Sequence, residues 1–144
     1  MIEQDTIKLL RECDAGAKMG IESINEVMDR VKSDELRRSL RYCRDQHETL
    51  GAEIRKRLEE FSDEGKDVGA MAKGMSWMKT NARLLLDESD ATIASLITDG
   101  CNMGIKSLNR YLNEYEAAEE YSKDVAKKLI SLEQELSHAV RDYL

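Results

Sequence analysis

The chain has no proline, and only one phenylalanine and one tryptophan among its 144 residues. Nothing therefore interrupts a long helix by fixing φ, and a surface rich in Glu, Lys and Arg favours helix over strand. Cysteine is sparse: Cys13, Cys43 and Cys101 are odd in number and widely spaced. That pattern supports neither a disulfide framework nor a thiolate metal motif, and buried free thiols are expected. Lys and Arg form no dense cluster, since 22 basic residues are interspersed with 29 acidic ones for a net charge of −7. No nucleic acid partner is expected. No stretch approaches the roughly 20 apolar residues that span a bilayer, so no membrane insertion is expected. Met1-Ile2-Glu3-Gln4-Asp5 lacks the basic start and apolar stretch of a secretory leader, which points to a cytoplasmic protein. There is no nucleophile beside a base and no glycine-rich phosphate loop. The acidic runs Asp87-Glu88-Ser89-Asp90 and Glu114-Tyr115-Glu116 lack the spacing of a calcium loop.

What the chain does have is helical periodicity. Ile7, Leu10, Ala17, Ile21, Ile24, Met28 and Val31 recur in steps of three and four, as one face of a helix requires, and predict a first helix over about residues 3–31. Ser33-Asp34 is a capping signal. It opens a second helix carrying Leu36, Leu40, Cys43, Leu50, Ile54 and Leu58 and running to about Glu60. Ile93, Ile97, Cys101, Ile105, Leu108, Leu112 and Tyr115 mark a third helix, and Val125, Leu129, Leu132, Leu136, Val140 and Tyr143 a fourth. The fold class is all-α, a single four-helix-bundle domain over residues 1–144.

The two halves repeat. An offset of 84 superposes Gly16, Met19, Gly20, Ile21, Ser23 and Asn25 on Gly100, Met103, Gly104, Ile105, Ser107 and Asn109, six identities in ten positions. Beyond the first turn the offset becomes 86, matching Leu50, Arg55 and Leu58 to Leu136, Arg141 and Leu144. A loop that gained two residues in a duplicated helical hairpin explains the change. The repeats cover about 3–60 and 81–144. Gly16/Gly20 and Gly100/Gly104 sit mid-helix, where each glycine costs about 1 kcal/mol relative to Ala, and suggest close approach of helices one and three.

The link over about residues 61–80 is far longer than a tight turn between antiparallel neighbours. Fully crossing the length of the bundle, roughly 45 Å for a 30-residue helix, would use it. Within it Met71, Met75 and Met78 lie at helical spacing beside Trp77. They form either a short helix docked on the bundle or an exposed partner-binding patch.

Two polar residues interrupt the apolar stripes. His47 stands between Cys43 and Leu50, and Asp14 between Leu10 and Ala17. Both should point inward, and burial of either alone is costly, so a carboxylate to imidazole bond is expected, with Asp14 as the partner of His47. Under the repeat offsets His47 corresponds to Glu133, and Asp14 to Thr98 with Asp99 beside it. Asp14, His47, Asp99 and Glu133, with Glu48 at the edge, would then converge near the bundle centre. Two readings stand: a closed polar network that fixes register, or a metal site whose carboxylates and imidazole suit iron, manganese or zinc.

Leu9-Leu10-Arg11-Glu12-Cys13-Asp14-Ala15-Gly16, Met19-Gly20-Ile21, Glu35-Leu36, Gln46-His47 and Glu53-Ile54 resemble a family of bacterial proteins of unknown function with a ferritin-like four-helix bundle. The resemblance implies ferritin-like topology, with the long crossover between helices two and three. Ferritin-like di-iron proteins bring one Glu from each of two helices and a Glu-x-x-His from each of the others. Here Arg44 stands three residues before His47, and the only Glu-x-x-His is Glu135 to His138, whose helix-two counterparts are Thr49 and Ala52. The expected role is therefore non-enzymatic, through protein contacts or self-association. The alternative is a metal-binding bundle with redox or storage activity.

Overall fold

The computed structural model describes residues 2–63 and 89–144. Four helices account for most of them: α1 (Ile2–Met28), α2 (Asp34–Glu60), α3 (Asp90–Glu114) and α4 (Glu120–Val140), followed by a 3-10 turn at Arg141–Tyr143. The described residues contain no strand. Residues 81–88, placed by the periodicity in the second repeat, and the whole methionine and tryptophan cluster Met71, Met75, Trp77 and Met78 lie outside the described residues.

Local chemistry sets the helix ends. Ser33 caps α2, its hydroxyl accepting from Leu36 N–H at 3.2 Å, and Ser89 caps α3 in the same way through Thr92 N–H; each satisfies an otherwise orphaned donor. Glu119, the residue before α4, gives no such cap. Its carboxylate is held instead by Arg57 through both oxygens. α2 closes with Ser62 N–H on the Glu59 carbonyl and Asp63 N–H on the Leu58 carbonyl, and Ser62 takes the left-handed conformation, φ 56°. This is the helix-ending motif that glycine usually supplies.

Side chains at the helix ends fix the directions. At one end Thr6 accepts from Glu119 N–H at 2.8 Å, and Arg57 reaches Glu119. At the other, both oxygens of Asp90 accept from the N–H groups of Lys32 and Ser33, at 2.8 and 2.9 Å. α1 and α4 thus run one way, α2 and α3 the other. Asp63, near Arg11, and Ser89, beside Asp90, lie at opposite ends of the bundle. The two end contacts also match. Thr6 corresponds to Asp90 under the offset of 84, and Ser33 to Glu119 under the offset of 86. α1 and α4 each touch the other three helices, whereas no Cα of α2 comes within 8 Å of one in α3.

The apolar stripes close into two separate clusters. One holds Leu9, Leu10, Ala17, Leu50, Ile54, Leu108, Val125 and Leu129; the other holds Ile24, Leu36, Leu40, Cys43, Ile93, Ile97, Cys101 and Leu136. Between them, at mid-height, lie Gly20, His47, Gly104 and Glu133. The core is two apolar compartments separated by one polar level.

Because a non-glycine residue in the left-handed region is strained by roughly 1–2 kcal/mol, and glycine gives back part of that as backbone entropy, Ser62→Gly is expected to stabilise the protein by about 0.5–1 kcal/mol. Urea unfolding of the two proteins measures it; an unchanged or lower midpoint would contradict the strain argument.

Candidate functional site

His47 is buried because α2 places it on the stripe between Cys43 and Leu50, one turn from each. It is 0 % exposed, and Glu133 on α4 is 7 % exposed. The imidazole Nδ1 lies 2.7 Å from the Cys43 carbonyl oxygen, one turn back on its own helix. Nε2 lies 2.6 Å from Glu133 Oε1. A carbonyl can only accept, so Nδ1 carries a hydrogen. The Nε2 to carboxylate contact then needs a further proton between the two atoms, which makes the pair an imidazolium and carboxylate or their proton-transferred equivalent. Burial alone pulls His47 down, but the hydrogen bond and charge of Glu133, with the Cys43 carbonyl, outweigh it and raise the group above its ordinary 6.5.

Gly20 makes the space. A Cβ on Gly20 would sit 2.7 Å from His47 Cδ2 and 3.0 Å from Nε2, while one on Gly104 would meet Glu133 Oε2 at 3.4 Å. Gly20 thus admits the imidazole, while a Cβ at Gly104 would only touch the carboxylate at ordinary contact distance. α1 and α3 do pack together, and Gly20 in addition leaves room for a side chain from α2. A Cβ on Gly16 would meet Leu129 Cδ2 at 3.3 Å, and one on Gly100 would touch nothing within 4 Å.

The Cys101 thiol lies near Glu133, and burial first, then the charge of that carboxylate, push its ionisation well up. Burial likewise pushes Cys43 up to about 11 and Cys13 up to about 12. All three are buried free thiols, protonated near neutrality and poor nucleophiles. Cys43 and Cys101 belong to the two helices whose Cα atoms stay more than 8 Å apart, beyond the reach of a disulfide.

The partner expected for His47 was Asp14; the partner found is Glu133. Asp14 is fully buried, but its Oδ2 lies 2.7 Å from Lys18 Nζ, and Arg55 Nη1 is 3.9 Å from Oδ1. It therefore stands opposite Arg55, eight residues along α2 from His47, or about two helical turns. Glu48 and Asp99 are exposed. Each follows an inward or part-buried residue and is turned away by the roughly 100° that separates helical neighbours. The four-residue convergence of Asp14, His47, Asp99 and Glu133 is not formed, and among the described residues no three His, Cys, Asp or Glu side chains are grouped to hold a metal ion. His138 and Glu135 are exposed. The signal for the true partner was present: residues 86 apart are equivalent in the repeat, and equivalent residues meet where they lie on the axis that relates two halves.

Two predictions follow from this geometry. Gly20→Ala improves helix propensity by about 1 kcal/mol yet drives a methyl into the imidazole, so it is expected to lower stability. Gly100→Ala gains the same propensity in open space and is expected to raise it, so thermal melts of the two variants should move in opposite directions. For pH, a raised folded-state pKa means stability fully present below about 6.5 and lost as pH rises through the higher folded value. Urea midpoints should fall in the parent as pH rises above about 6.5 and fall less in His47→Gln. Parallel curves would sink the assignment.

No helix among the described residues is long and apolar enough to cross a membrane. No family model, curated protein or solved structure matches this chain, so the geometry of the His47 and Glu133 level carries the functional reading.

Proposed function

We propose that the chain is a ferritin-like bundle of two duplicated hairpins that acts in the cytoplasm without enzymatic turnover, through protein contacts or self-association. The resemblance to the bacterial ferritin-like family supports the topology, as do the helix directions and the matched contacts of Thr6 with Glu119 and Asp90 with Ser33. The observation that carries the non-enzymatic reading is the state of the one buried imidazole. Both ring nitrogens of His47 are engaged by protein acceptors, the Cys43 carbonyl and Glu133, and the buried carboxylate of Asp14 is engaged by Lys18. The groups that would bind a substrate or move a proton are holding helices together. Arg44, in the place of the carboxylate that a Glu-x-x-His motif needs, bonds Asn25 on α1.

One observation favours the second reading, a site for iron, manganese or zinc. A buried imidazole and a buried carboxylate, His47 and Glu133, adjoin at a single level and are donor types these ions accept, with no third such group joined to them among the described residues. Elemental analysis of protein purified without chelator separates the two. The first reading expects substoichiometric metal and a concentration-dependent mass in sedimentation. Stoichiometric iron, manganese or zinc, lost in His47→Ala, would replace it with the second.

A further inference from the structure

Two end contacts of the bundle, the turn N–H groups on Thr6 and on Asp90, do not distinguish one hairpin from the other, whereas the part-buried edge contact of Arg57 with Glu119, whose repeat counterparts are Tyr143 and Ser33, differs between them. Thr6 and Asp90 are both acceptors for a turn N–H, so either would cap either turn. The mid-level pair is different. His47 and Glu133 are equivalent by the repeat offset of 86 and lie 2.6 Å apart, so they sit where the pseudo-twofold passes between α2 and α4. Two copies of the α1–α2 hairpin would bring imidazole onto imidazole there. With each Nδ1 bonded to its own helix, the two Nε2 atoms would lack a complementary partner. Two copies of the α3–α4 hairpin would bring carboxylate onto carboxylate in a buried site, which is strongly unfavourable unless one is protonated.

We propose that the His47–Glu133 pair is the specificity determinant of hairpin association: it makes the inner face of α1–α2 a docking surface for the α3–α4 hairpin of the same chain and rejects a second copy of α1–α2. The inference rests on the duplicated-hairpin reading. It also implies that the two residues are interchangeable. His47 anchors Nδ1 on the carbonyl four residues earlier, and position 133 has the same group at Leu129 on its own helix. Gly20 and Gly104 offer room on both sides. Only the Cys101 thiol breaks the equivalence, because its counterpart at the offset of 84 is Ala17.

The test uses the full chain at one fixed pH. His47→Glu and Glu133→His each create a like pair and are expected to lower the folding constant, read from urea unfolding, on the order of a hundredfold. The exchanged variant H47E/E133H restores an unlike pair and is expected within about tenfold of the parent, short of it by the lost thiol contact. Should a single variant fail to fold, the exchange still decides: a cooperatively folded H47E/E133H supports the inference. A swap no better than the combined single losses overturns it. Selection itself is read with H47L/E133L, in which apolar residues keep the helices packed but reject nothing. Light scattering after size exclusion is expected to show a larger species absent from the parent, and the parent's species alone overturns the selecting role. Metal found in the parent would overturn the non-enzymatic reading, whereas a failed swap leaves that result untouched, so the two failures are distinguishable.

Discussion

An imidazole in a helix core has two nitrogens to satisfy away from water, and the bundle is arranged around how His47 does so. Its own helix provides one acceptor, the Cys43 carbonyl, and a different hairpin provides the other, Glu133. Leaving either unsatisfied at 0 % exposure would cost on the order of 1–3 kcal/mol. The pair therefore ties α2 to α4 at one height. Slipping either helix by a turn would set the ring against Leu129 or Leu136 and the carboxylate against Cys43 or Leu50, so the polar level specifies register where leucines alone would tolerate several.

That level shapes its surroundings. It separates the apolar core into two clusters, and it requires the small residue Gly20, where mid-helix glycine is otherwise unfavourable. It also adds to the effect of burial on the Cys101 thiol, whose ionisation the nearby Glu133 carboxylate pushes further up. Away from mid-height the hairpins are joined by backbone N–H groups resting on Thr6 and Asp90. These contacts repeat the internal symmetry. The His47–Glu133 pair is a buried contact between the hairpins that depends on the two halves being different.

The other buried charge obeys the same requirement by a shorter route. Asp14 Oδ2 is paired one turn away on its own helix with Lys18, whose stem is partly covered while its ammonium lies within 2.7 Å. Arg55 of α2, 3.9 Å from Oδ1, adds a longer-range charge contact from the neighbouring helix of the same hairpin. The distinction matters for function, because a carboxylate consumed locally is not presented to the bundle centre, and the convergence that a shared metal would need is not assembled.

The four helices were legible in the residues because a three and four step stripe can be buried in only one way, and caps such as Ser33 announce their ends. The inward position of His47 was legible for the same reason, as was the correspondence of His47 with Glu133 through the repeat. The identity of the partner was not. Asp14 and Glu133 both stand on inward stripes, and which one reaches His47 depends on the stagger between helices, set by the turns and by contacts such as Asp90 with the Lys32 and Ser33 amides. Glu48 and Asp99 missed the interior by a single residue step, about 100° of rotation, which periodicity alone does not decide for a neighbour on the stripe's edge. Local periodicity thus determined what is helical and which side chains turn inward, since both follow from 3.6 residues per turn. Only the packing of one hairpin on the other decided which inward groups meet, because that depends on a stagger between helices that no single helix encodes.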